Sequence, residues 1–264
     1  MSYPPAAELK PPPRLAMWRE SRVVFDLAHM LSAMLTQKPQ PGAARSNRPI
    51  VILPGFGAND AIMLPLRRYL SSRGYQVEGW GLGVNRAGLD LPHTLADISA
   101  GWALSPLRQY RREAGVALLC DRMVERAAQR SRQLGEPLTL IGWSLGGTIA
   151  REVARDLPDD IAQVITLGSP VIGGPKYTAT ARALRAKGLD LDWIEQHVRL
   201  RESRPIRQPI TSIVSRSDGI VGWAAAQDHF SPRLRQVEIA GSHLGMAFSP
   251  VVWREVLAAI ESGR

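Results

Sequence analysis

Residues 138–147, Leu-Thr-Leu-Ile-Gly-Trp-Ser-Leu-Gly-Gly, constrain this chain more than any other stretch. Residues 138–141 are a short apolar run of strand type, and a helical pattern begins after Ser144 and runs to about residue 156. Gly142-Trp143-Ser144-Leu145-Gly146 must therefore turn a strand into a helix within a few residues. So sharp a turn leaves no room for side chains at its flanks, which accounts for the glycines. It also holds the Ser144 hydroxyl exposed at the carboxyl end of the strand, above the start of a helix. A glycine-rich turn here could instead cradle phosphate, but no lysine follows and the P-loop spacing is absent.

The same alternation extends on both sides. Residues 50–53 form a buried strand ending in Pro54-Gly55, 60–73 a helix with Asp60 as its N-cap and Gly74 as its stop, and 75–80 a second strand. Helices are expected at 112–134, 145–156 and 251–262, and strands at 138–141, 161–167, 210–214 and 236–239. On the 112–134 helix, Val116, Leu119, Met123 and Ala127 share one face beside Cys120, which reads as a core residue. Alternating strands and helices predict an α/β fold with a mainly parallel central sheet and helices on both faces. The 264 residues, 45% of them hydrophobic, suffice for one such domain and exclude wholesale disorder.

An activated serine needs a base, and the base needs an orienting acid. Downstream of Ser144, His243 lies in Gly241-Ser242-His243 just past the last strand. Asp218 lies in Ser215-Arg216-Ser217-Asp218-Gly219 just past the strand at 210–214. The order Ser, Asp, His suits a nucleophile elbow, with Asp228 as the fallback acid. Acyl chemistry also needs backbone N–H groups aimed at a developing oxyanion. The expected donors are Leu145, next to the serine, and Phe56 in Pro54-Gly55-Phe56-Gly57. Ile220, Trp223 and Met246, near these loops, are expected to add an apolar acyl pocket.

This ordered set resembles the α/β-hydrolase superfamily on its lipase and esterase side, over residues 48–262. The resemblance implies an eight-strand-type sheet, here short of one or two amino-terminal strands, and Ser–His–Asp catalysis through an acyl-enzyme. Pro54 and Trp143 depart from the histidines common at those positions in the family, and neither position transfers protons there. The expected activity is hydrolysis of carboxylic esters, lipid-like or of medium acyl length. The alternatives are an acyltransferase using the same acyl-enzyme and a non-catalytic lipid-binding protein on the same scaffold.

Partners follow from charge and cysteine count. The net charge is +9, and 29 of the 33 cations are arginines. They are scattered from Arg14 to Arg264 without aromatic interleaving or a nucleic-acid motif, so nucleic acid is not an expected partner. One cysteine excludes an intrachain disulfide and a cysteine-based zinc cluster, and no cofactor or metal is expected. Gly79-Trp80-Gly81-Leu82-Gly83 lacks the spacing of a dinucleotide loop and reads as a strand-end loop beside the site.

Domain 48–264 is expected to be catalytic, with 171–208 inserted as a lid rich in cations: Lys176, Arg182, Arg185, Lys187, Arg199, Arg201, Arg204 and Arg207. Residues 1–47 are expected to hold a proline-rich extended or disordered tail (1–13) and an amphipathic helix (14–36), and a linker (38–49) runs from there into the catalytic domain. The helix would present Val24, Leu27, Leu31, Met34 and Leu35 on one face. It also resembles the apolar part of an export signal, but Asp26 and His29 interrupt it. The expected location is cytoplasmic, with peripheral membrane contact through this helix or the lid.

Overall fold

A computed structural model describes residues 3–5, 7–36 and 49–263. Nearly all of the linker expected at 38–49 and the side chains of Met34 and Leu35 lie outside the described residues. A 3-10 turn over Arg14–Arg22 leads into α1 (Val23–Thr36). There follow β1 (Ile50–Leu53), α2 (Leu64–Ser71), β2 (Val77–Gly79), α3 (Gly115–Leu134), β3 (Leu138–Trp143) and α4 (Leu145–Asp156). After β4 (Ile161–Leu167) come α5 (Ala181–Ala186), α6 (Leu191–Glu202), β5 (Ile210–Val214), α7 (Trp223–Ala226), β6 (Leu234–Glu238) and α8 (Pro250–Ser262).

The six strands form one wholly parallel sheet in the order β2-β1-β3-β4-β5-β6. Side chains alternate across it, and each face finds its own helices. Ile50, Ile52 and Ile141 point to α1, α2 and α8, where Met30, Leu66, Leu70, Trp253 and Val256 close the core. Val51, Leu53, Leu138 and Leu140 point the other way, onto Leu119, Met123, Ile149 and Val153 of α3 and α4. Cys120 is fully buried there, as its place on the apolar helix face suggests.

The strand order reverses between β1 and β3. In a parallel α/β sheet, such a reversal opens a crevice beyond the carboxyl ends of the strands, because the connections leave toward opposite faces. The loop after β1 and the elbow after β3 face each other there.

Several expectations about local structure are corrected. The helix expected at 60–73 starts later, at Leu64, and Asp60 does not cap it. Its carboxylate instead accepts from Trp80 N (3.0 Å) and Gly81 N (3.2 Å), tying two strand-end loops together. The amino-terminal helix is interrupted: a 3-10 turn has three residues per turn, so the apolar phase shifts before α1 begins. As a result Val24 and Leu31 are 64% and 58% exposed, whereas Ala16, Glu20 and Met30 are buried. The proline-rich segment before it is non-helical but packed. Leu9 is buried beside Val171, Ile172 and Tyr177, and Tyr3 bonds Glu195 (3.1 Å) and packs on the Phe230 ring.

Candidate active site

The strand-to-helix turn has the geometry its sequence demands. Ser144 adopts φ 54° and ψ −123°, a conformation that L residues avoid at a cost of about 1–3 kcal/mol, while Leu145 already begins α4. Side chains at Gly142 and Gly146 would run into the Gly147 backbone and the Leu53 carbonyl. The strain is held by β4 on one side, through the Ser144 N–H to Leu167 O bond (2.8 Å), and by the packed α4 on the other.

His243 and Asp218 meet across the ends of β5 and β6. His243 Nδ1 lies 2.7 Å from Asp218 Oδ2, and both side chains are buried. The second oxygen, Oδ1, accepts from Ile220 N (2.8 Å) and Val221 N (2.7 Å), so the carboxylate cannot rotate away. Ser215 Oγ donates to Gly241 O (2.7 Å) and joins the two loops. Trp143, beside the serine, donates its indole N–H to His243 O (3.1 Å) and packs its ring against the imidazole.

Asp228 lies apart from this arrangement. Its carboxylate meets Arg151 and Ser231 Oγ, and accepts from Phe230 N (2.9 Å) and Ser231 N (3.1 Å). Burial would raise its pKa, but the Arg151 charge and these hydrogen bonds reverse the effect and hold it below the usual carboxylate range. Asp218, and not the fallback, is the acid beside His243.

Ser144 and His243 line one cavity of about 280 Å³ together with Gly55, Phe56, Leu145 and Leu244. Farther in, Val116, Leu184, Leu189, Ile194 and Val198 make the wall mostly apolar, with Arg112 and Glu113 as charged members. The Phe56 N–H has no partner among the described residues, and the Leu145 N–H, at the first turn of α4, has none within the helix. Both expected oxyanion donors thus stand at the wall beside the serine.

The three residues expected at an acyl pocket fall in different places. Ile220 lines the cavity. Trp223 instead packs with Val214 and Val221 under the Arg216 guanidinium (4.1 Å), and Met246 is wholly buried in the core beneath the site. Both sit near catalytic-type loops in sequence, but their backbones aim them away. The wall is supplied instead by α5, α6 and the start of α3.

Asn85 escaped the sequence reading. It is fully buried, and its Nδ2 donates to Pro54 O (2.8 Å) while its backbone exchanges bonds with Gly57 N (2.7 Å) and Ala58 O (2.8 Å). It pins the loop that carries Phe56. The glycine-rich loop at 79–83 does not line the cavity. Trp80 is buried and bonds Gly83 O (2.9 Å), and Ala87 and Leu89 farther along reach the wall.

Residues 171–208 carry α5 and α6 over the cavity wall, but half of their cations are engaged within the protein. Lys176 pairs with Asp192 and Glu195 (2.5 Å each), Arg201 with Glu152 and Asp156 (2.6 Å each) and Arg204 with Asp156 (3.0 Å). Arg199 lies over the Tyr3 ring, 3.9 Å from its centre. A buried network of Arg151, Arg155, Glu152 and Glu202 ties α6 to α4. These ion pairs fasten the insertion to the body of the domain.

The Thioesterase domain family model matches residues 102–220. Over 156 residues the chain is 31% identical to the pimeloyl-(acyl-carrier protein) methyl ester esterase of Sodalis glossinidius (strain morsitans). That match covers 57% of this chain and 53% of the relative, so the chain spans about half the relative's length. Among solved structures it resembles the monoacylglycerol lipase of Paleococcus ferrophilus, with a TM-score of 0.54 at 15% identity over 82% of this chain and 95% of that one. The chain has the α/β-hydrolase fold. A bacterial membrane phospholipase A matches 95% of this chain and 96% of its own, with a TM-score of 0.50 at 17% identity. Among the described residues, no helix of the chain is long and apolar enough to cross a membrane, and no group of three or more His, Cys, Asp or Glu side chains could hold a metal ion.

Proposed function

We propose that the chain is a serine carboxylic-ester hydrolase with Ser144 as nucleophile, His243 as general base and Asp218 as the acid that orients it. One observation carries the reading: Ser144 and His243 share an apolar cavity while His243 Nδ1 is bonded to Asp218 at 2.7 Å. With Nδ1–H donated to the carboxylate, Nε2 is left free to accept the Ser144 proton as Oγ attacks an acyl carbonyl. The Phe56 and Leu145 N–H groups receive the negative charge that forms on the carbonyl oxygen. His243 then returns the proton to the departing alcohol, leaving an acyl-serine. Water, deprotonated by His243, attacks this ester, and the carboxylic acid leaves as Ser144 regains its proton.

The apolar wall favours a lipid-like or medium-chain acyl group, because burying each methylene contributes about 0.8 kcal/mol. The matching Thioesterase model and the methyl ester esterase relative support acyl release to water. Residues 171–208 act in this reading as a lid on the acyl side. The location is cytoplasmic, at a membrane surface. There Leu15, Trp18 and Phe25, each more than 70% exposed, dip into the lipid while the neighbouring Arg14, Arg19 and Arg22 meet anionic head groups.

Hydrolysis of a p-nitrophenyl ester series from acetate to hexadecanoate, with product analysis in added alcohol, tests the reaction and the chain length. The expected result is free acid and the highest kcat/KM at medium chain length. Fastest turnover of acetate would overturn the substrate, and transfer of most of the acyl group to the alcohol would overturn hydrolysis.

A further inference from the structure

Glu20 lies on the 3-10 turn Arg14–Arg22 and is 7% exposed. Its carboxylate is spent on backbone N–H groups of two distant loops. Oε1 accepts from Gly219 N (2.8 Å) and His243 N (3.0 Å), and Oε2 accepts from Leu244 N (2.8 Å). Gly219 follows Asp218 directly, and His243 is the base itself. One side chain from the amino-terminal segment therefore spans the acid loop and the base loop.

The contact is close as well as polar. A β-carbon at Gly219 would lie 2.5 Å from Ala16 O, so the segment runs against the acid loop where no side chain fits. Asp26 on α1 also stands against the base loop, since a β-carbon at Gly245 would run into its carboxylate. Three donors converging on two oxygens call for a carboxylate. Glutamine would turn an NH₂ group toward one of the N–H donors, and that donor would be left buried without an acceptor.

We propose that Glu20 is a positioning residue for the His243–Asp218 pair, which makes the amino-terminal segment part of the active centre. The proposal rests on the reading of Ser144, His243 and Asp218 as the reacting groups. Glu20 touches no substrate; it sets the separation and tilt of the two loops whose side chains do the chemistry. Misplacement of a reacting group by an ångström can cost about 100-fold in rate.

The test compares Glu20→Gln and Glu20→Asp with wild type and with Leu66→Val, a substitution in the core under α2 that lowers stability without touching the site. Ester hydrolysis and the rate of Ser144 labelling by a fluorophosphonate are measured well below all the melting temperatures. The expected result for Glu20→Gln is a kcat lower by about 10-fold or more, KM within twofold of wild type and a parallel fall in labelling rate. Glu20→Asp, which keeps the charge but shortens the reach, falls between, and Leu66→Val keeps the wild-type kcat. If Glu20→Gln does not fold, Glu20→Asp takes its place in the comparison. A Glu20 variant that keeps the wild-type kcat, or loses no more than Leu66→Val, overturns the proposal. Wild type that neither hydrolyses esters nor labels would instead overturn the serine-hydrolase reading.

Discussion

Asp218 and His243 are joined by a 2.7 Å bond between Oδ2 and Nδ1, and the other Asp218 oxygen is held by the Ile220 and Val221 N–H groups. The carboxylate is thus fixed from behind and can select one imidazole tautomer. Asp218→Asn would present an amide N–H to Nδ1 and favour the wrong tautomer, and kcat should fall by about 10⁴ with little change in KM. Asp228→Asn should keep kcat near wild type. Steady-state kinetics of the two variants separate them.

Asp228→Asn should act on stability instead. It leaves Arg151, which is 2% exposed, with one of its two carboxylate partners. Breaking a buried pair in this way costs about 3–5 kcal/mol, measured as a lower midpoint in urea unfolding. Arg151→Met leaves the Asp228 carboxylate buried without its cation, while Glu202 keeps Arg155, and should cost at least as much as Asp228→Asn.

The same network sets the acid limit of the fold. Burial works to raise the Glu152 carboxyl, but Arg155 and Arg201 outweigh it and leave the pKa lowered, as Arg151 does for Asp228. A carboxyl whose folded pKa lies below its unfolded value stabilises fully above the unfolded pKa, about 4, and loses that stabilisation as pH falls through the folded one. The urea midpoint should therefore drop as pH falls below about 4. Asp228→Asn should flatten that drop, because one of the depressed carboxyls is gone.

How much was legible beforehand depended on sequence distance. The turn at 142–147 was readable because its cause is local: three glycines, one serine, a strand before and a helix after. The positions of Asp218 and His243 followed from strand ends, which short apolar runs mark well. Trp223 and Met246 stand near the site loops in sequence but do not line the cavity, because nearness along a loop does not say which way a side chain points. Glu20 and Asn85 were invisible for a different reason. Glu20 meets partners about two hundred residues away, and Asn85 bonds a backbone carbonyl that any residue type supplies. The broken phase of the amino-terminal helix likewise depends on the packing of Ala16 and Glu20, and apolar periodicity carries no trace of that.

Asn85→Ala should loosen the loop that carries the Phe56 N–H. The loss of a well-placed oxyanion donor costs about 10²–10³ in kcat, and an indirect disturbance should reach the lower part of that range. KM should change little, since the acyl wall is untouched. Chain-length preference, measured on the p-nitrophenyl series, should also stay as in wild type.

The exposed Trp18 and Phe25 lie in a segment that also bears Arg14, Arg19 and Arg22. Sedimentation with phosphatidylglycerol vesicles should retain the wild-type protein, and phosphatidylcholine vesicles should retain much less. The double variant Trp18→Ser, Phe25→Ser should weaken retention on the anionic vesicles, and salt should weaken it further. Equal retention of wild type on both lipids would contradict an electrostatic contact.

The most direct test of the central claim is the intact mass of the protein after reaction with a fluorophosphonate. The account predicts a single adduct on wild type, mapped to Ser144 by peptide sequencing, and none on Ser144→Ala. An unmodified wild type, or an adduct that persists on Ser144→Ala, would contradict it.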